Sequence, residues 1–269
     1  MHRLQRVLAI IMANVAAASC AISKEQIAGQ HFQTLLLQGE GFDHVAYFKP
    51  GTGPNKALHV YLEHDGIAWL DSTDVASDPT PKNRLMLAAM ALDAASSLYL
   101  GRPCYFGRNT DSGCNPQLWT HQRYSEMVVS SMAAALKNFL SHRDETRLIF
   151  FGYSGGGALA MLLAERFAQT DAVITIAGNL DIVAWAKRHD YSPLEGSLNP
   201  ADRGALPSAI KQFHYVGGRD RNVPAALIES ISVLPKNSVI KIPAFDHVCC
   251  WQAWWPNLLQ SLQPHFVEN

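Results

Sequence analysis

The sequence predicts an α/β fold in which a mainly parallel, twisted sheet is flanked by helices. Short apolar runs rich in β-branched and aromatic residues alternate with stretches whose apolar residues recur at helical spacing. That alternation is typical of parallel strands joined by crossover helices. The chain has 269 residues, 48% of them hydrophobic and 17% charged, which favours a globular protein and argues against disorder.

The order of the elements supports this interpretation. Residues 31–38 and 43–49 are the first predicted strands, and the glycines between them predict an antiparallel hairpin at one edge of the sheet. Further strands are predicted at 57–63, 96–100, 146–151, 172–177, 211–216 and 238–243. Helices are predicted at 83–94, 124–140, 155–169, 180–188 and 251–266. The connection over about 178–210 is longer than an ordinary loop.

The N-terminal residues form a separate segment. The segment begins with positively charged residues, continues with an apolar run and ends with small residues, which is typical of a secretory signal peptide. The sequence therefore predicts a signal over residues 1–20 and an exported domain over residues 21–269. Small residues before Cys20 are similar to the lipoprotein signal of bacteria, in which the cysteine is lipidated. We therefore expect a periplasmic or outer-membrane protein anchored through Cys20, and cleavage after Ala18 without lipidation is the alternative.

Four further cysteines follow Cys20. Cys104 and Cys114 flank a short loop rich in Gly, Asn and Asp, so they are the favoured disulfide pair. Closing that loop would add about 3 kcal/mol to the free energy of unfolding in the chain-entropy model. The neighbours Cys249 and Cys250 either bridge each other or stay as thiols. Small core cysteines in a reducing compartment are the alternative for all four.

A Gly-x-Ser-x-Gly motif, Gly152-Tyr153-Ser154-Gly155-Gly156, joins a predicted buried strand to a predicted helix. A sharp turn there brings the strand and helix backbones close together, which requires the glycines at 152 and 156. It also raises the serine hydroxyl above the sheet, at the positive N terminus of the helix. The motif predicts Ser154 as a nucleophile. A glycine-rich helix start that Ser154 merely caps is the alternative.

A serine hydroxyl needs a base to become a strong nucleophile. His247 follows the last predicted strand and Asp220 follows the strand before it, so both are expected beside Ser154. His247 would then accept the serine proton, and Asp220 would orient the imidazole. Asp181 follows an earlier strand and is the alternative acid, whereas Asp246 is adjacent to His247 and would point elsewhere.

These motifs, together with Glu63-His64-Asp65-Gly66 after the strand at 57–63, resemble a group of exported bacterial α/β-hydrolases. The resemblance covers most of the predicted exported domain. It implies the α/β-hydrolase fold, with Ser154, Asp220 and His247 as a catalytic triad. It also implies that the insertion at about 178–210 is a small cap over the active site, although a surface excursion without a role fits the sequence as well.

The resemblance further implies two backbone N–H groups that bind the oxyanion of the tetrahedral intermediate. One is the N–H of Gly155, the residue after the nucleophile. The other comes from the loop after the strand at 57–63. Because the order His64-Asp65-Gly66 departs from the usual His-Gly pair, we assign this donor to Ile67 or a neighbour.

The predicted reaction is acyl transfer to water through an acyl-Ser154 intermediate. A carboxylic ester is the first expectation for the substrate, because exported hydrolases without a cofactor often meet lipid or acyl groups. A serine peptidase of the same fold and a non-catalytic envelope lipoprotein are the alternatives. No cofactor is expected, and no spaced quartet of cysteines and histidines indicates a metal site. A net charge of −1 without a basic stripe gives no indication of a nucleic-acid partner.

Overall fold

The computed structural model describes residues 26–27, 30–53 and 56–266, so the predicted signal peptide and Cys20 lie outside it. The strands are β1 (Gln26–Ile27), β2 (Gln30–His31), β3 (Gln33–Gln38), β4 (Asp43–Lys49), β5 (Ala57–Leu62), β6 (Ser96–Leu100), β7 (Arg147–Tyr153), β8 (Thr170–Ile176), β9 (Lys211–Gly217) and β10 (Val239–Ile242). The helices are α1 (Leu85–Ala91), α2 (Glu126–Leu140), α3 (Gly155–Ala164), α4 (Ile182–Arg188), α5 (Ala225–Glu229) and α6 (Trp251–Phe266).

Eight strands form one sheet in the order β10-β9-β8-β7-β5-β6-β4-β3. The strands from β5 to β10 are parallel, and β4 pairs antiparallel with β6. The hairpin of β3 and β4 lies at one edge, as predicted. The predicted architecture, a mainly parallel sheet flanked by helices, is therefore confirmed.

Helices cover both faces of this sheet. Val60 and Phe150 point into the cluster that contains residues of α2 and α3, whereas Tyr61 and Phe151 point into the cluster that contains residues of α1 and α6. Strands buried on both faces read as continuous apolar runs, which explains the sequence of β5 and β7. The carboxyl ends of the parallel strands meet at one edge, where this class of fold places its ligands.

The long connection between β8 and β9 contains α4 and a short 3₁₀ helix, Pro200–Asp202. Asn199 holds it together: its Oδ1 accepts the N–H of Ile182 at 3.0 Å, and its Nδ2 donates to Asp181 at 3.1 Å. The connection also contacts the chain before α2, where Leu198 donates its N–H to the carbonyl of Tyr124 at 3.0 Å. Its role as a cap stays a prediction.

Two disulfides are present among the described residues. Cys104 and Cys114 are joined with an S–S distance of 1.99 Å. The neighbours Cys249 and Cys250 are joined to each other. In the described part of the chain, we find no helix with the length and apolar character needed to cross a bilayer.

Candidate active site

Ser154 lies in a sharp turn between β7 and α3. Its φ of +53° is in the left-handed region that side chains other than glycine rarely adopt, so the turn is strained. A Cβ on Gly152 would lie 2.2 Å from the carbonyl oxygen of Gly156, and one on Gly156 would lie 2.1 Å from that of Leu62. Neither position has room for a side chain, which explains both glycines of the motif.

The structure brings Ser154, His247 and Asp220 together in one hydrogen-bonded chain. His247 Nε2 lies 3.0 Å from Ser154 Oγ, and His247 Nδ1 lies 2.8 Å from Asp220 Oδ2. The Asp220 side chain is fully buried, and its Oδ1 accepts the N–H groups of Asn222 and Val223, each at 2.8 Å. Because Oδ2 then accepts from Nδ1, the neutral ring presents its Nε2 lone pair to the serine hydroxyl.

Neighbouring groups fix the segment that contains His247. The hydroxyl of Tyr153 donates to the carbonyl of His247 at 3.0 Å, and the centres of the two rings lie 5.5 Å apart. Asp246 points away from the imidazole, because its Oδ1 accepts the N–H groups of Val248 and Cys249 at 2.8 and 2.7 Å. The alternative acid, Asp181, is occupied as the cap of α4.

The prediction for Ile67 is wrong. Its N–H donates to the carbonyl of Pro79 at 2.9 Å and is therefore not free for a substrate. The N–H of Gly66 is also occupied, since it donates to His64 Nδ1 at 3.1 Å. Within the described chain, the N–H of Asp65 has no acceptor.

Gly155, the other predicted donor, is the first residue of α3, where helix geometry leaves the N–H without an intrahelical acceptor. It lies directly against Asp65, because a Cβ on Gly155 would be 1.9 Å from Asp65 Oδ1. The two free N–H groups therefore belong to residues that contact each other beside Ser154.

Asp65 is the site residue that the sequence analysis did not identify. Its buried carboxylate accepts from Arg102 Nη2 at 2.7 Å and Arg123 Nη1 at 3.0 Å, and from the hydroxyl of Tyr124 at 2.6 and 2.7 Å. Burial opposes ionisation, but the two guanidinium groups outweigh it and hold the pKa of Asp65 well below its usual range. These partners are 37 to 59 residues away along the chain, so no local pattern indicates them.

The other side chains of this loop point in different directions. Glu63 accepts the N–H of Met86 at 2.9 Å, and burial raises the pKa of Glu63 to about 8. His64 Nε2 donates to the carbonyl of Asn83 at 2.9 Å, and burial lowers the pKa of His64. Glu63, His64 and Asp65 do not converge, and the described residues contain no cluster of three side chains suited to a metal ion.

Several solved structures share this fold. A serine hydrolase without a lid from Xanthomonas campestris is 11% identical, with a TM-score of 0.58 over 91% of this chain and 99% of the other. Est1E of Butyrivibrio proteoclasticus, solved with ferulic acid bound, is 13% identical, with a TM-score of 0.61 over 87% of this chain and 100% of the other.

A puromycin-hydrolyzing peptidase of Mycobacterium tuberculosis is 16% identical, with a TM-score of 0.60 over 87% of this chain and 38% of the other. No protein-family model and no curated protein matches the sequence. Likeness at these identities establishes the fold: the chain has the α/β-hydrolase fold, as the resemblance implied.

Proposed function

We propose that this protein is a serine hydrolase that cleaves carboxylic esters through an acyl-Ser154 intermediate. The hydrogen-bonded chain from Asp220 through His247 to Ser154 supports this proposal most directly. It lies at the carboxyl edge of the sheet, beside two backbone N–H groups without acceptors among the described residues.

In the first half of the reaction, Ser154 Oγ attacks the carbonyl carbon of the ester while His247 Nε2 takes the hydroxyl proton. The electron pair of the carbonyl π bond moves onto the oxygen. The imidazolium then donates its proton to the leaving alcohol as the ester bond breaks. Asp220, held by two backbone N–H groups, orients His247 and stabilises its positive charge.

In the second half, His247 takes a proton from water, whose oxygen attacks the acyl carbon. The second tetrahedral intermediate collapses, and His247 returns the proton to Ser154 Oγ as the carboxylic acid leaves. In both halves the N–H groups of Gly155 and Asp65 donate to the oxyanion. One such donor contributes on the order of 3 kcal/mol of transition-state stabilisation.

Two observations support a substrate with an apolar acyl group, and we propose that this group is carried as a carboxylic ester. Val248, which follows His247, is an exposed apolar side chain and suits an acyl or alkyl group. The Butyrivibrio neighbour holds ferulic acid, an aromatic carboxylic acid. A serine peptidase is the second candidate, favoured by the Mycobacterium neighbour, although the chain spans 38% of that protein's length.

We also propose that the protein is exported and anchored through a lipid on Cys20. The disulfide between Cys104 and Cys114 supports an oxidising compartment. Fractionation of cells that produce the wild type or Cys20→Ala tests the anchor. The wild type should partition with membranes and the variant should not; identical partitioning of the two would overturn the anchor.

A fluorophosphonate probe tests the enzymatic proposal. We expect labelling of the wild type and no labelling of Ser154→Ala, with both proteins showing the same melting temperature. A folded wild type that the probe does not label would overturn the proposal. Hydrolysis rates on p-nitrophenyl esters of increasing chain length and on peptide p-nitroanilides then separate an esterase from a peptidase.

A further inference from the structure

A buried cluster of charge lies behind the loop that contains Asp65. We call Asp65, Arg102, Arg123 and Tyr124 the Asp65 cluster. Both arginines are buried, with 5% and 7% of their surface exposed, and Tyr124 is fully buried. Two guanidinium groups face one carboxylate, so the cluster has a surplus of one positive charge.

The groups around the cluster do not neutralise that surplus. Glu63 contributes its backbone carbonyl, 3.5 Å from Arg102 Nη2, and its own carboxyl is protonated near pH 7 because burial raises its pKa to about 8. Arg102 Nε and Nη1 are buried and have no hydrogen-bond partner in the described part of the chain. The rings of Tyr105 and Tyr124 lie 5.8 and 5.3 Å from its guanidinium carbon.

An incompletely paired buried charge is costly for stability. Folded proteins retain such groups where function requires them, and perturbed buried charges concentrate at functional sites. The nearest functional feature is the pair of free N–H groups at Gly155 and Asp65. An oxyanion bound there would supply the negative charge that Arg102 and Arg123 lack.

The cluster also immobilises the peptide group that contains the second donor. The Asp65 carboxylate accepts three side chains, and the backbone carbonyl of Asp65 accepts the hydroxyl of Tyr105 at 2.9 Å. Contact with Gly155 holds the same residue against the start of α3. The N–H is then the polar group of Asp65 that stays free within the described structure.

We propose that Arg102 and Arg123, acting through Asp65, are positioning residues for oxyanion stabilisation. They fix the Asp65 N–H beside that of Gly155 and place a surplus positive charge behind it. This proposal rests on the proposed function. Because negative charge develops in the transition state and not in the bound ester, the cluster raises kcat and leaves KM nearly unchanged.

Substitutions of Arg123 separate the effect of charge from that of packing. Arg123→Gln removes the charge, and Arg123→Lys keeps it. We expect Arg123→Gln to lower kcat by about 10- to 100-fold with KM within about twofold, because small displacements of an oxyanion donor cost this much. Arg123→Lys should recover most of the loss. Affinity for phenylboronic acid, which forms a tetrahedral anion on Ser154 Oγ, should fall together with kcat.

Arg166→Gln is the matched control, because it removes an arginine that follows the C-terminal end of α3 and pairs with Glu126 at 2.7 Å. It should leave kcat and KM unchanged. A wild type without esterase activity overturns the proposed function itself. An active wild type with unchanged kcat in folded Arg123→Gln overturns only the cluster's role, and so does an equal loss in Arg123→Lys and Arg123→Gln.

Circular dichroism and melting temperature decide which variants are folded. Should Arg123→Gln not fold, Tyr124→Phe decides the question, because it removes the hydroxyl that contacts both oxygens of Asp65 and keeps the ring. A fall in kcat at constant KM in Tyr124→Phe supports the proposal. An unchanged kcat in this folded variant overturns it.

Discussion

The described residues contain two histidine–aspartate pairs, one at the carboxyl ends of the parallel strands and one toward their amino ends. At the carboxyl edge, His247 Nδ1 lies 2.8 Å from Asp220, and Ser154 Oγ lies 3.0 Å from Nε2. Toward the amino ends of the strands, His59 Nδ1 lies 2.5 Å from Asp93. Both aspartates are buried. The two pairs differ instead in what faces the second nitrogen of each imidazole.

The second nitrogen of His59 faces no reactive group. Its Nε2 is buried and has no hydrogen-bond partner among the residues described here. The rings of Phe151 and Phe266 lie 5.2 and 6.4 Å from the imidazole, and the hydroxyl of Tyr61 donates to Asp93 at 2.5 Å. A histidine–aspartate pair is therefore not by itself a catalytic site. A serine hydroxyl and free backbone N–H groups lie beside the pair at the carboxyl edge and distinguish it from the pair at His59.

Replacement of each of the two histidines should give the largest difference in kcat. His247→Ala removes the proposed base, and we expect kcat on p-nitrophenyl acetate to fall by about 10⁶-fold. His59→Ala should leave kcat within about twofold. It should lower the free energy of unfolding by about 3 kcal/mol, because Asp93 loses its buried partner. A folded His59→Ala protein with kcat reduced a hundredfold would show that the two ends are not functionally distinct.

Replacement of the two aspartates should give the same contrast, and the change in kcat should be smaller than for the histidines. Asp220→Asn keeps the shape of the side chain but favours the wrong tautomer of His247, so kcat should fall by about 10⁴-fold. Asp93→Asn should change urea stability and leave kcat near the wild-type value. Steady-state kinetics give kcat for both variants, and urea unfolding gives their stability. Equal kcat values for Asp220→Asn and the wild type would contradict the assigned acid.

The sequence predicts those features of the two regions that depend on residues close together in the chain, and it does not predict those that depend on contacts between distant segments. Ser154, Asp220 and His247 each follow a strand of the parallel sheet, so the local pattern places all three at one edge before their contacts are known. The segments that form strands and helices are predictable for the same reason. The order β7-β5-β6-β4 is not, because it depends on pairing between distant segments.

The loop at 63–67, after β5, shows where local reasoning fails. The position of Ile67 predicts an oxyanion donor, but a hydrogen bond to Pro79, 12 residues later in the chain, occupies its N–H. Asp65 is fixed by Arg102 and Arg123, which tertiary structure alone brings together. Such contacts have no periodicity to detect. The same limit applies to His59 and Asp93, which are 34 residues apart.

Removal of the disulfide at the carboxyl edge tests whether the regions at the two ends of the parallel strands contribute independently to the free energy of unfolding. Cys104→Ser with Cys114→Ser should lower the free energy of unfolding by about 3 kcal/mol, because the unfolded chain regains the freedom of the loop. Combined with His59→Ala, the losses should add within about 0.5 kcal/mol, since separated sites are additive. Urea unfolding of the single, double and combined variants measures this. A larger deviation would show coupling through the sheet.

Two buried carboxyls near β5, Asp93 and Glu63, have opposite pKa shifts. For Asp93, burial opposes ionisation, but the charge and hydrogen bond of His59, with hydrogen bonds from Tyr61 and the Ala95 N–H, outweigh it and lower the pKa of Asp93 to about 2. For Glu63, burial outweighs the backbone hydrogen bonds to its carboxyl and the charge of Arg102, and it raises the pKa of Glu63 to about 8.

These opposite shifts give opposite dependences of stability on pH. The Asp93 contribution is present above the ordinary aspartate pKa of about 4 and is lost as the pH falls through about 2. For Glu63, the unfolded chain loses its proton from about pH 4 upward, while the folded chain keeps it until about pH 8. The free energy of unfolding therefore decreases as the pH rises through this window, by at most about 1.4 kcal/mol per pH unit.

Glu63→Gln mimics the protonated side chain and should flatten that decrease. Urea unfolding of the wild type and the variant from pH 5 to pH 9 measures it, and the two proteins should be closest in stability near pH 5. Asp93→Asn is the matched control, because it removes a carboxyl whose titration lies at acidic pH and should leave the slope above pH 5 intact. Parallel profiles for the wild type and Glu63→Gln would mean that Glu63 is ionised in the folded protein. The surplus positive charge behind the loop at 63–67 would then be neutralised by Glu63, and Arg123→Gln should lose less activity than predicted.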